Sequence, residues 1–215
     1  MAINCMVILA HQDDECLSTG LYIQSRVAKS MDVHVLTVFG RNYDYGQGDQ
    51  YVEENNSAYE QSCDLLKVRD RDFLCLLEGE PTSQSYYRVL RKIEQALKKY
   101  NPVEVVIHDD QDRNQDHRWL SDVCKIALRP WAFPDIKRVL MCQSPDGLPK
   151  DVNHYVRGTE KRWQTQVLAV ESYARELRTG VHPRSLATLN NWQRVLGSYC
   201  DSERAEPFRT YFSKD

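Results

Sequence analysis

Two short apolar runs, residues 5–9 and 103–107, each lead into a cluster of histidine and aspartate. The first cluster is Ala10-His11-Gln12-Asp13-Asp14-Glu15. The second is His108-Asp109-Asp110-Gln111-Asp112-Arg113-Asn114-Gln115-Asp116-His117. A short apolar run bounded by polar residues suits a buried strand. Runs apolar at nearly every position belong to parallel sheets covered on both faces. The chain must therefore place two strand ends where their polar clusters can meet.

The intervening sequence supports such a sheet. Residues 4–9, 33–38, 73–77, 103–108 and 138–142 read as strands. Residues 14–29, 53–68, 84–100 and 117–129 read as helices, with stops at Asn101-Pro102 and Pro130. Alternation of this kind predicts an α/β fold with a mainly parallel sheet flanked by helices. Its functional loops gather beyond the C-terminal strand ends. The last third is more helical, over residues 161–177 and about 186–198. With no repeat, low-complexity tract or linker, a single domain over residues 1–215 is expected.

Composition removes several classes. A net charge of −3 lacks the basic footprint of a nucleic-acid binder. Seven cysteines cannot all pair within one chain, and none forms a CxxC pair, which points to free thiols and a cytoplasmic location. No apolar segment is long enough to cross a bilayer.

His11, Asp14 and His117 have the chemistry of a catalytic zinc site, with three protein ligands and a position left for water or substrate. His11 and Asp14 are three apart across the start of a helix, so both can converge on one ion. Asp13 is then free to take a proton from a water that the ion acidifies. This set suits hydrolysis of an amide or ester. The competing reading makes the aspartates a helix cap and the histidines solvated strand-end residues. A second such cluster on the same inferred sheet favours the metal. Glu15 reads as a support for the helix start. His108 reads as a packed strand-end residue rather than a fourth ligand.

The hexapeptide at 10–15, with the later Asp112-Arg113-Asn114-Gln115-Asp116-His117, resembles the LmbE/PIG-L family of zinc-dependent N-acetylglucosaminyl deacetylases. His182-Pro183-Arg184-Ser185, Leu196-Gly197-Ser198 and Ala205-Glu206-Pro207-Phe208 are similar to C-terminal segments of bacterial members. The resemblance implies a Rossmann-like three-layer fold with the metal at the C-terminal strand ends. It also implies Zn2+ on His11, Asp14 and His117, and Asp13 as general base. An N-acetylated, GlcNAc-like sugar or its conjugate is the implied small-molecule partner, and a homo-oligomer is compatible with the family.

Three departures from the family pattern matter. Gln12 replaces the proline of AHPDDE. Asn114 replaces the first histidine of HPDH, and an amide cannot exchange a proton near neutral pH. Asn114 is therefore expected to orient the substrate or oxyanion, leaving proton transfer to Asp13. The helix near residue 53 lacks the family's Arg-x-x-Glu. Gly40, Arg41, Asn42 and Arg113 are the candidate substrate contacts, with Arg41 a replacement for the missing arginine. Asp116 has two compatible readings, as a group orienting a ligand histidine or as a helix cap. The competing functions are a metal-dependent amidase on a non-sugar amide and a non-catalytic sugar or nucleotide-sugar binder.

Overall fold

The computed structural model describes residues 3–40, 48–77, 79, 83–147 and 149–214. Strand β1 (Ile3–Leu9) lies inside a sheet whose two faces are both covered. Its side chains alternate between two cores. Cys5, Val7 and Leu9 enter one, and Met6 and Ile8, followed by Ala10, enter the other. That double burial is why the run is apolar at nearly every position.

The elements follow in the order α1 (Asp14–Leu17), α2 (Gly20–Val27), β2 (Met31–Gly40), α3 (Gly48–Leu66), β3 (Asp70–Leu77), α4 (Ser83–Tyr100) and β4 (Glu104–His108). Then come α5 (Gln115–Ala127), β5 (Arg138–Cys142), β6 (His154–Gly158), α6 (Glu160–Glu171), α7 (Leu186–Ser198) and β7 (Arg204–Ser213). The sheet order is β3-β2-β1-β4-β5-β7-β6. β1 to β5 pair in parallel, and β7 runs antiparallel to both β5 and β6. Helices α2, α3 and α6 close the first core, and α4 and α5 the second. The result is the expected three-layer α/β fold with a mainly parallel sheet. Among the described residues, no helix is long and apolar enough to cross a membrane.

Three expectations are corrected. The helix expected over residues 14–29 is two helices, α1 and α2. The break permits close packing at Gly20, where a Cβ would meet Gln166 Cγ at 2.8 Å. The new helix starts on Glu206, whose carboxylate accepts the Leu21 and Tyr22 N–H groups at 2.7 and 2.8 Å. The helix expected to reach residue 177 ends at Glu171, and its continuation relaxes into turns such as Glu176 N–H to Tyr173 O at 2.8 Å.

The third correction is the pair β6 and β7, which pattern reasoning left out. Pro207 argues against a strand, because it cannot donate to a ladder. It is accommodated because the β5 pairing stops at Phe208, so Pro207 faces only β6. The C-terminal segments that carried the resemblance have structural work here. Ser185 caps α7 by accepting from Thr188 N–H at 3.1 Å. Gly197 lies so close to the chain that a Cβ would meet Ser202 O at 2.5 Å.

Candidate metal centre and active site

The two clusters meet beyond the adjacent ends of β1 and β4, where the sheet order reverses. His11 Nδ1 lies 3.1 Å from His117 Nε2. Asp14 Oδ2 is 3.5 Å from the first nitrogen and 3.3 Å from the second. Tetrahedral zinc with bonds of about 2.0–2.1 Å separates its ligand atoms by about 3.3 Å. The three atoms already form one face of such a tetrahedron, so the donor set fits a divalent transition metal. All three side chains are buried.

The remaining ring nitrogens are also held. His11 Nε2 lies 3.0 Å from Asp116 Oδ2, which also accepts the Gly79 N–H at 2.9 Å. His117 Nδ1 lies 3.1 Å from Asp112 Oδ2. The Asp116 carboxylate keeps a proton on the outer nitrogen of His11 and turns its inner lone pair toward the centre, while Asp112 meets His117 Nδ1 at ion-pair distance without a hydrogen bond. Burial opposes charge on both rings, but the contacts with Asp116 and Asp14 push His11 up to about 9. Against the same burial, Asp14 and Asp112 push His117 up to about 10. Burial would raise the Asp14 carboxyl, yet His117 and His108 hold it well below its ordinary value. This is a site with an excess of acids, suited to a cation.

A second group, His108, Asp112 and His117, overlaps the first. Its atoms are already engaged. His108 Nε2 accepts the Ala10 N–H at 2.9 Å, and its ring stacks on His117 with centroids 3.7 Å apart. Burial, with His117 beside it, pulls its pKa down, as suits a neutral ring accepting a backbone donor. His108 is thus packed at the end of β4, with its Nε2 also 3.3 Å from Asp14 Oδ2.

Asp13 stands apart from the ligands. Its φ of 111° lies in the left-handed region, a strain of about 1–3 kcal/mol for a non-glycine residue. Glu15 braces it, accepting the Asp13 N–H at 3.0 Å on one oxygen. The other Glu15 oxygen accepts from Ser62 Oγ at 2.5 Å and Tyr173 Oη at 2.8 Å. The Asp13 carbonyl starts α1, but its side chain makes no cap. The helix-cap reading therefore does not explain this carboxylate. Its Oδ2 lies 3.4 Å from Arg184 Nη1, and the same nitrogen lies 3.1 Å from Glu176 Oε2. Tyr51 Oη donates to Glu176 in turn.

The other predicted residues divide. Asp116 lies at the centre, against His11. Asn114 caps α5, its Oδ1 accepting the Asp116 N–H at 2.8 Å. Arg113 is exposed beside Asp112, while Arg118 donates to the carbonyls of Asp112 and Arg113 and shapes the loop. Gly40 is buried, and a Cβ there would meet Phe73 Cζ at 2.7 Å, so packing against β3 accounts for it. Arg41 and Asn42 lie outside the described residues. Gln12 donates to Asn56 Oδ1 at 2.8 Å and accepts from Asn55 Nδ2 at 2.5 Å. The departure at position 12 and the one at the start of α3 are therefore in contact.

Sequence reasoning missed two residues. Asp112 lies among acids five residues before His117, with nothing in its local sequence to set it apart from them. Arg184 belongs to the His182-Pro183-Arg184-Ser185 stretch, which marked the region but not its position. His182 of the same stretch is exposed and accepts the Arg184 N–H at 3.1 Å.

Comparisons with known proteins place the family and the fold. The family profile described as PIG-L, GlcNAc-PI de-N-acetylase, matches residues 6–128. No curated protein matches the chain. Among solved structures, an N,N'-diacetylchitobiose deacetylase from Pyrococcus horikoshii is similar with a TM-score of 0.80 at 16% identity, covering 97% of this chain and 84% of that one. A zinc-inhibited form of the teicoplanin deacetylase Orf2 has a TM-score of 0.76 at 16% identity, covering 96% and 98%. GalB, a 4-carboxy-2-hydroxymuconate hydratase from Pseudomonas putida KT2440, has a TM-score of 0.73 at 12% identity, covering 99% and 98%. At these identities the structural likenesses speak for the fold.

Proposed function

This chain belongs to the PIG-L (GlcNAc-PI de-N-acetylase) family, and from that premise we propose that it is a zinc-dependent deacetylase removing the acetyl group from an N-acetylated sugar or its conjugate. The observation that carries this reading is the triangle of His11 Nδ1, Asp14 Oδ2 and His117 Nε2, with Asp13 beside it and not part of it. The diacetylchitobiose and teicoplanin deacetylases share the fold and support the substrate class.

His11, Asp14 and His117 would hold the zinc, with Asp116 and Asp112 fixing the two rings. The ion, when bound, supplies a Lewis acid that acidifies water and polarises an acyl carbonyl. The rest falls to the chain. Asp13 accepts the proton of the water that attacks the acetyl carbon. As the C–N bond breaks, Asp13 returns that proton to the departing amine, leaving acetate and the free amino sugar. Arg184 fixes the direction of the Asp13 carboxylate. Asn114, with Oδ1 engaged as a cap, has Nδ2 to donate to the carbonyl oxygen as charge develops there. Arg41, Asn42 and Arg113 are assigned to the sugar side of the site, with Gly40 left to its packing against β3.

The likeness to GalB gives a specific reason to test hydration as well, since the same fold serves a hydratase. The deciding experiment is acetate release from a panel of N-acetyl sugars, with N-acetylated non-sugar amines and an unsaturated hydroxy acid as comparisons. Release from the sugars that stops with a chelator and returns with zinc is expected. Turnover confined to the other compounds would overturn the reading.

A further inference from the structure

A cavity of about 150 Å³ opens between the loops that follow β4 and β5, at the same sheet end as the metal centre. Asp109, Asp112 and Arg113 line it from the β4 side, and Gln143, Ser144 and Lys150 from the β5 side. It adjoins the centre through Asp112, whose carboxylate contacts His117.

The charges on its wall are unevenly matched. Asp109 is paired internally, with Arg209 Nε 3.0 Å from Oδ2 and Arg209 Nη2 2.9 Å from Oδ1. Asp112 is engaged with His117. Neither Arg113 nor Lys150 meets a carboxylate among the described residues. Both acids are thus neutralised from within, while both cations remain available. The wall is also built rather than loose. Gln143 accepts the Lys150 N–H at 3.0 Å and donates to the Lys150 carbonyl at 2.5 Å, which ties the base of that loop. A Cβ at Gly147 would meet nothing within 4 Å, so the loop leaves open space there. The volume is that of a few water molecules, enough for one small anionic group.

We infer that this cavity is a subsite for an anionic group, phosphate or carboxylate, carried by the N-acetyl sugar, with Arg113 and Lys150 as its cations. The inference rests on the deacetylase reading for its connection to turnover. A neutral sugar would leave both cations solvated, whereas an anionic substituent would reach them while the acetyl group sits at the zinc ligands. Selectivity of the enzyme would then lie partly in the charge of the group attached to the sugar.

The test uses the zinc-loaded protein and three compounds: N-acetylglucosamine 1-phosphate, the carboxymethyl glycoside of N-acetylglucosamine, and its neutral methyl glycoside. At low salt, kcat/KM is expected to favour one or both anionic compounds over the neutral one by about tenfold. Which of the two is preferred identifies the anion. Lys150→Glu is expected to lower the anionic-to-neutral ratio by about tenfold, mainly through KM, and Arg113→Ala to lower it in the same direction. An equal kcat/KM for charged and neutral compounds overturns the subsite, as does an equal loss on both in Lys150→Glu. Calorimetric binding of the same compounds separates this inference from the function itself. If no sugar is deacetylated the proposed activity fails. The subsite still stands if the 1-phosphate binds more tightly than the methyl glycoside and Lys150→Glu abolishes the difference, and falls if it does not.

Discussion

Arg184 Nη1 lies 3.4 Å from Asp13 Oδ2, so the loop before α7 supplies a cation to a carboxylate at the end of β1. Glu176 shares that arginine at 3.1 Å and keeps it from swinging away. Arg184→Ala should therefore lower kcat by about tenfold, by removing the ion pair that directs the Asp13 carboxylate rather than a hydrogen bond. KM and zinc content should change little. Arg184→Lys should restore part of the loss, because a cation still reaches Asp13 without the planar fork. A variant with unchanged kcat would remove Arg184 from the positioning of Asp13.

Asp13 is not a member of the His11, Asp14 and His117 cluster, and its backbone is strained and braced by Glu15. Asp13→Ala should keep the zinc and lose turnover by a factor of about 10²–10⁴, the usual range for general acid–base catalysis. Zinc content and acetate release on the same preparation check this. Parallel loss of both would make Asp13 a ligand.

Asp116 hydrogen-bonds the outer nitrogen of His11 at 3.0 Å, and Asp112 lies 3.1 Å from the outer nitrogen of His117 as an ion pair. Replacing either by alanine frees a ring and its tautomer. Zinc affinity should fall by about 10–100-fold in each single variant. Competition titration against a chromophoric chelator measures it. An unchanged affinity in Asp112→Ala would leave that residue only the loop contact its Oδ1 makes with the Asn114 N–H.

Much of this arrangement was legible because local pattern and tertiary structure agree. Residues 5–9 and 103–107 are apolar at every position but Glu104 because both faces of β1 and β4 are buried, and the polar clusters begin where the strands stop. The cluster of His11, Asp14 and His117 could be located from that. The outer partners could not. Asp112 and Asp110 are both acids of one loop, yet only Asp112 contacts His117, while Asp110 pairs with Lys125 and Arg209. Loop geometry makes that distinction, and no periodicity encodes it. Arg184 was hidden for another reason, because its partner is brought to it only by packing of the C-terminal third. β7 was hidden by Pro207, which is allowed at its place only because β5 ends there.

Zinc uptake should be coupled to proton release. In the metal-free chain His11 is pushed up to about 9 and His117 to about 10. Their facing nitrogens, 3.1 Å apart, have room for one proton between them. Zinc binding near pH ~7.5 should therefore release about one proton per ion, and its affinity should fall as pH is lowered. The sign for stability is opposite. A histidine raised above its unfolded value stabilises the metal-free fold fully below about pH 6.5, and that contribution is lost as pH rises through about 9–10. Calorimetry in buffers of different ionisation enthalpy checks the proton count. Thermal melts should show the metal-free chain, and not the zinc-loaded one, losing stability toward alkaline pH. Proton-independent zinc binding would mean that these histidines are not the ligands.

Glu206 tests whether a C-terminal segment supports the fold rather than the chemistry. Its two carboxylate oxygens accept the Leu21 and Tyr22 N–H groups, and one also accepts from Gln166 at 3.2 Å. Every neighbour in that set donates. Glu206→Gln would replace one acceptor with an NH2 group and leave one buried donor without a partner. Stability should fall by about 1–3 kcal/mol, the cost of an unsatisfied buried polar group. Urea unfolding gives the value. Zinc content and kcat of the folded fraction should stay at wild-type levels, because α2 begins beyond the ligand-bearing turn. A stability loss below about 0.5 kcal/mol would place Glu206 among tolerant positions. A drop in kcat at unchanged stability would instead tie this strand to the active site.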